Sequence, residues 1–328
     1  MAIMLPVKCD ARGNLYIRSH QPLRALAAPV SKITRDGKRA AVFTLASAPG
    51  FEEGMFGDFA VDIRGKVYLL AMNKKGVAIV AYDSDGGYDS TIKPEGLFGP
   101  AQLAVFPSGE FLASGEKLDE RLYGTGEPFT AIFDRNGKLI KELSLPQDIW
   151  KQPPSDDGTE KVTPSEDGEA DEKDAPLPQD AQGETPEGAV SIEKEQFSRA
   201  LSVGMAVPAE DGNVYLMRAT PDPLIYVIAP GGTVLRRLVI ARPSEHSDPS
   251  TLHVAGGKLV VQFSEYDPTG KFKRSLFAVA NAESGETLSY YVTGPEVGGA
   301  LACYTPNGFT FLGSNVAGQL ILITTYPY

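Results

Sequence analysis

Three histidines and two cysteines are the scarcest chemistry-bearing residues of this 328-residue chain. His20, His246 and His253 could offer three imidazole nitrogens to a zinc ion. Nothing in their spacing demands it, and His253 falls in an apolar run where a packed histidine is the plainer reading. Cys9 and Cys303 fit no metal-ligand spacing. The stretch DSDGGYD, Asp83 to Asp89, suggests a calcium loop, but Gly87 replaces the third oxygen ligand and Pro94 stands where the twelfth-position glutamate is needed. No G-x-S-x-G elbow and no Walker loop is present. Any chemistry must come from residues far apart in sequence that the fold gathers.

That fold is written as a repeat. DARGNLYIRS at Asp10 returns as DIRGKVYLLA at Asp62, FPSGEFLASG at Phe106 and AEDGNVYLMR at Ala209, with weaker copies VAGGKLVVQF at Val254 and TPNGFTFLGS at Thr305. The shared glycines are Gly13, Gly65, Gly109, Gly212, Gly257 and Gly308, spaced 52, 44, 103, 45 and 51 apart. The long interval holds an acidic insertion at about 151–195; removing those 45 residues leaves 58. This period is that of propeller blades. Five repeats carry a second strand–turn–strand phrase, turning at Asp36-Gly37, Asp85-Gly86, Asn136-Gly137, Gly231-Gly232 and Ser284-Gly285. Such dipeptides supply the positive φ of a two-residue hairpin turn. Each repeat therefore reads as four antiparallel strands, A to D, with A strands expected at about 4–10, 57–63, 100–106, 201–207, 250–255 and 299–304.

The expected fold is one all-β domain over residues 1–328, a six-bladed β-propeller whose last blade is incomplete. The phrase D-x-x-G-N-[LV]-Y-[IV], followed by a D-G or N-G hairpin, resembles NHL-repeat six-bladed propellers over nearly the whole chain outside the insertion. The resemblance implies the architecture; that superfamily includes binding scaffolds, lyases and lactonases. NHL-type repeats commonly place an aspartate six residues after the glycine, whereas this chain has Ser19, Ala71, Gly115, Arg218, Phe263 and Ser314 there.

Propellers bind ligands at the mouth of the central channel. The loops leading into the A strands are expected to hold Asp58, Gln102, Arg199 and Asp248. The B–C loops are expected to hold His20, Arg24, Asn73, Lys74, Glu116, Arg218, Glu265 and Tyr266, with Tyr123 and Phe129 on the same rim. This mixed polar rim suits a small polar ligand, a peptide or a protein partner, without catalysis and without a cofactor. The alternative is a metal-assisted lyase or lactonase, with a divalent ion in the channel held by His20, His253 and Glu265, and with Glu116 or Asp58 nearby.

The formal net charge is −11, but residues 151–195 hold 14 Asp/Glu and 4 Lys, a net of −10. The rest has 28 acidic and 27 basic residues, a net of −1, so no basic stripe for nucleic acid exists. No apolar run reaches membrane-spanning length. A monomer is expected. The start MAIMLPVKCD lacks the pattern of a signal peptide, and the last repeat, ending in QLILITTYPY, lacks a strand D. A longer natural precursor, with a closing strand and an export signal, is therefore one reading, and it would make the protein periplasmic or secreted.

Cys9 and Cys303 sit four and five residues before their glycines, in the two blades that meet when the ring closes. A disulfide there would stabilise by roughly 4 to 5 kcal/mol in the chain-entropy model. Two buried free thiols, acting as small hydrophobes, are the preferred reading.

Residues 153–187 are almost empty of large apolar side chains and are expected to lack regular structure. Joining Gln152 to Gly188 should cost less than about 2 kcal/mol in thermal melting.

Overall fold

A computed structural model describes residues 3–19, 28–145, 204–293, 300–314 and 320–325. It is a six-bladed β-propeller. Blade 1 comprises β1 (Ile3–Cys9), β2 (Leu15–Ser19), β3 (Val30–Ile33) and β4 (Arg39–Phe43). Blade 2 comprises β5 (Met55–Val61), β6 (Val67–Asn73), β7 (Gly76–Tyr82) and β8 (Tyr88–Ile92). Blade 3 is β9 (Phe98–Val105), β10 (Phe111–Leu118), β11 (Gly124–Phe133) and β12 (Leu139–Glu142). Blade 4 is β13 (Met205–Pro208), β14 (Val214–Arg218), β15 (Leu224–Ile228) and β16 (Val234–Val239). Blade 5 is β17 (Ser247–Ala255), β18 (Lys258–Tyr266), β19 (Phe272–Asn281) and β20 (Thr287–Val292). Blade 6 has three described strands, β21 (Ala300–Thr305), β22 (Gly308–Ser314) and β23 (Leu320–Thr325).

Each blade is one antiparallel meander, and a lone sheet of this size cannot bury both faces. Six apolar cores answer this, one at each seam between neighbouring blades. The richest lies between blades 1 and 2, with sixteen buried residues including Tyr16, Phe43, Phe56, Phe59 and Tyr82. Among the described residues the leanest lies between blades 6 and 1, with six: Val7, Leu15, Ile17, Ala302, Cys303 and Leu312.

The turns differ from the two-residue type expected. In the second hairpin of blade 1, Gly37 N donates to Thr34 O and Thr34 N donates to Lys38 O, so three residues form the loop. The same pattern recurs at Asp83–Gly87, Asp134–Lys138 and Ala229–Thr233, and Asn281–Glu286 is one residue longer. Where a single glycine closes the loop, as Gly37, Gly86 and Gly137 do, this is a type I turn closed by a left-handed residue, which needs one positive φ rather than two; in Ala229–Thr233 both Gly231 (φ 80°) and Gly232 (φ 82°) are left-handed. Gly137 fills the closing place at φ 88°, and a Cβ there would lie 2.4 Å from Lys93 O of the preceding blade. The leading aspartate accepts the next N–H groups: Asp134 Oδ1 takes Asn136 N at 2.8 Å and Lys138 N at 2.9 Å. Asp10, Asp62 and Asp267 do the same, so these repeated carboxylates shape turns.

The A strands also begin two or three residues earlier than expected in three blades, at Met55, Phe98 and Ser247. The cause is a β-bulge in each, between Phe56 and Asp58, between Pro100 and Gln102, and between Pro249 and Thr251. The extra residue extends the strand and lets neighbouring A strands approach closely. Gly57 marks the closest approach: a Cβ there would meet Pro100 O at 2.5 Å.

Cys9 and Cys303 form a disulfide, with Cα atoms 5.6 Å apart across 294 residues of sequence. The preferred reading of two free thiols is corrected here. The one-residue offset between them sets the cysteines on facing sides of the strands that meet at the 6/1 seam.

Cys303→Ser, or reduction of the wild type, should lower the melting temperature by roughly 5 to 10 °C, because the bridge closes a very long loop across the leanest core. An unchanged melting curve in dithiothreitol would refute this.

Candidate functional site

At the inner ends of the strands, charged side chains are held between blades. Lys8 of β1 donates to Asp58 Oδ2 of β5 at 2.9 Å, to Leu103 O of β9 at 3.3 Å, and to Phe59 O. Leu103 N also donates to Asp58 Oδ2, at 2.9 Å, so one carboxylate and one ammonium tie blades 1, 2 and 3 together at the axis. Arg18 of β2 lies 3.9 Å above the Phe56 ring and donates to Phe56 O at 2.7 Å and Gly57 O at 3.2 Å. The bulges supply some of these partners by freeing backbone groups from the ladder.

Blades 3 and 4 are bound by a third such group. Arg218, the last residue of β14, is fully buried and reaches into blade 3. Its Nη1 donates to Gln102 Oε1 at 2.9 Å, and its Nη2 donates to Ser114 Oγ at 3.0 Å and Thr130 Oγ1 at 2.9 Å. Burial pulls its pKa down to about 10, still charged at neutral pH. Beside it a cleft of about 420 Å³ opens between the two blades, lined by Lys117, Glu127, Pro128, Glu142, Leu145 and Arg218 among others. Lys117 bridges to Glu142 at 2.9 Å and to Glu127 at 3.9 Å. These residues lie at the ends of β10, β12 and β14 and the start of β11, the end of the ring where B–C turns and loops into A strands converge.

The structure thus brings Gln102 and Arg218 into direct contact and places Asp58 against Lys8. All three belong to strands rather than to loops and are buried, as are Glu265 in β18 and, more shallowly, Glu116 in β10 and Asp248 in β17. Glu265 accepts from Arg274 Nε and lies 3.7 Å from Lys273, and the Arg274 bond leads the factors that hold its carboxyl below the usual range. Tyr266 meets the Phe272 ring edge-on. Asn73 Nδ2 donates to Gly50 O at 2.8 Å, pinning the β6–β7 turn beside the exposed Lys74. Tyr123 is exposed, but Phe129 is core, stacked on Phe98 with ring centroids 4.6 Å apart. His20, Arg24, Arg199 and the insertion lie outside the described residues.

His253 is buried at the 5/6 seam with Nε2 3.2 Å from Leu301 O. A carbonyl only accepts, so Nε2 carries the proton. His246 is exposed in the loop before β17. Gln262, unremarked in the sequence, ties the same seam: Leu301 N donates to its Oε1 at 2.8 Å. Lys8 was equally legible as the lone charge within MLPVKC. Among the described residues no three His, Cys, Asp or Glu side chains gather as a metal site would require.

The class these observations define is the six-bladed β-propeller. No family model and no curated protein matches the sequence. Among solved structures, the Pan2 WD40 domain of Neurospora crassa superposes with a TM-score of 0.47 at 12% identity, over 98% of this chain and 78% of that one. Streptogramin B lyase gives 0.44 at 11%, over 98% and 83%. A Bacteroides caccae protein of unknown function gives 0.43 at 11%, over 94% and 81%.

Replacing Lys8 by Met should cost about 3 kcal/mol, since it strands the buried Asp58 carboxylate; adding Asp58→Asn should recover part of that, as read by denaturant unfolding.

Burial pushes the His253 imidazole from 6.5 down to about 4. The folded protein then resists a proton that the unfolded chain accepts. Stability is full above that ordinary value and falls by about 3 kcal/mol as pH drops to the lowered one. Unfolding midpoints across this window should show the slope, and His253→Gln should flatten it.

Proposed function

We propose that this protein is a non-catalytic binding propeller that holds a small polar ligand or short peptide on the end of the ring where the B–C turns and the loops into the A strands meet. The observation that carries the reading is the cleft between blades 3 and 4. Its volume of about 420 Å³ suits a small ligand, and its lining mixes apolar surface with a few fixed polar groups. Two of them, Arg218 and Thr130, stand on strands and are locked to each other across the seam, the preorganisation that a binding site needs.

The metal-assisted lyase or lactonase reading has less support. Two of the residues it named are already engaged: His253 with Leu301 O, and Glu265 with Arg274. Binding and enzymatic proteins both use propellers, so the fold does not choose between them.

A library of amino acids, short peptides and small organic acids, read by hydrogen exchange, tests the proposal. Ligands should protect residues 117–130 and 142–145 and leave the solution unconverted. Protection confined to the opposite, A–B turn end, or turnover of a bound compound, would overturn it.

A further inference from the structure

Two cations set between blades, Lys8 and Arg18, lie near a carboxylate. Lys8 meets Asp58 directly, and Arg18 lies within the field of the same carboxylate. Arg218 differs. Its acceptors are three neutral oxygens, from Gln102, Ser114 and Thr130. A guanidinium carried out of water without a counter-charge is costly, and its field is screened far less than that of a surface charge.

The cleft is where that field reaches space. At its mouth Lys117 is shared between Glu142 and Glu127, which leaves one carboxylate in excess, but neither carboxylate bonds to Arg218, whose acceptors are the three neutral oxygens. Pro128 and Leu145 give the wall an apolar stretch. We propose that the cleft between blades 3 and 4 binds a small carboxylic acid with an apolar body, its anionic end drawn towards Arg218 and its body lying along Pro128 and Leu145. This rests on the reading of that cleft as the binding site and names the ligand class. A neutral ligand leaves the buried charge uncompensated. A phosphate dianion has no apolar body for the wall, and it carries twice the charge of a carboxylate past Glu127 and Glu142 at the mouth.

Titration calorimetry with hexanoate, hexanol and inorganic phosphate tests this on the full chain. Hexanoate should bind at least about tenfold more tightly than hexanol, the range expected of a charge-assisted contact, and phosphate should be the weaker anion. Arg218→Met should erase the preference for hexanoate, and Arg218→Lys should restore part of it. Ser144→Trp, from an exposed cleft position that bonds none of the Arg218 partners, should block both organic probes. Should Arg218→Met fail to fold, the hexanol comparison and Ser144→Trp still decide. Equal binding of hexanoate and hexanol, phosphate matching hexanoate, or hexanoate affinity unchanged in folded Arg218→Met or in Ser144→Trp would each overturn the inference. If hexanoate fails while the library yields another ligand protecting residues 117–130, only the ligand class is wrong. If the library also yields none, the binding reading falls with it.

Discussion

The contact between β1 and β21 closes the ring, and the other five seams depend on it. Each blade buries its faces only because a neighbour stands on both sides. Five seams are crossed by the chain itself. Among the described residues the sixth joins the first strand to the last blade through a small aliphatic core and the Cys9–Cys303 bridge. Among the described residues that core holds no aromatic ring, and the covalent link does there what Tyr16, Phe43 and Phe56 do between blades 1 and 2.

The same constraint explains where the polar groups lie. Lys8, Arg18, Arg218 and Gln262 all reach from one blade to the next, and their partners are often backbone groups released by bulges. A charge near the axis of such a ring is first a fastening between sheets. Its availability to a ligand then depends on whether another side chain answers it. Asp58 answers Lys8, whereas the guanidinium of Arg218 donates to three neutral oxygens.

Blade number, strand order and the placing of the A–B turns were legible because each repeat states them with a glycine at positive φ after a fixed offset. The C–D turns were located correctly but mistyped, since Asp-Gly suits both a two-residue turn and the three-residue loop that Asp134 caps. Gln102 and Arg218 were legible as neighbours of the channel mouth but not as a bonded pair. Their contact depends on the bulge before Gln102, a one-residue event that no pattern of alternation reveals. Phe129 looked like rim because it follows a glycine-rich turn; the length of β11, ten residues, carries it into the core. The disulfide turned on a single residue of strand alignment.

The seam between the ends of the chain also sets an order of events in assembly. Contacts that join residues 294 apart cannot form until the last blade exists. During synthesis blade 1 must wait with the face bearing Val7, Leu15 and Ile17 uncovered, while each later blade gains its predecessor at once. Among the described residues that waiting face is small and aliphatic, which limits the apolar surface the nascent blade exposes.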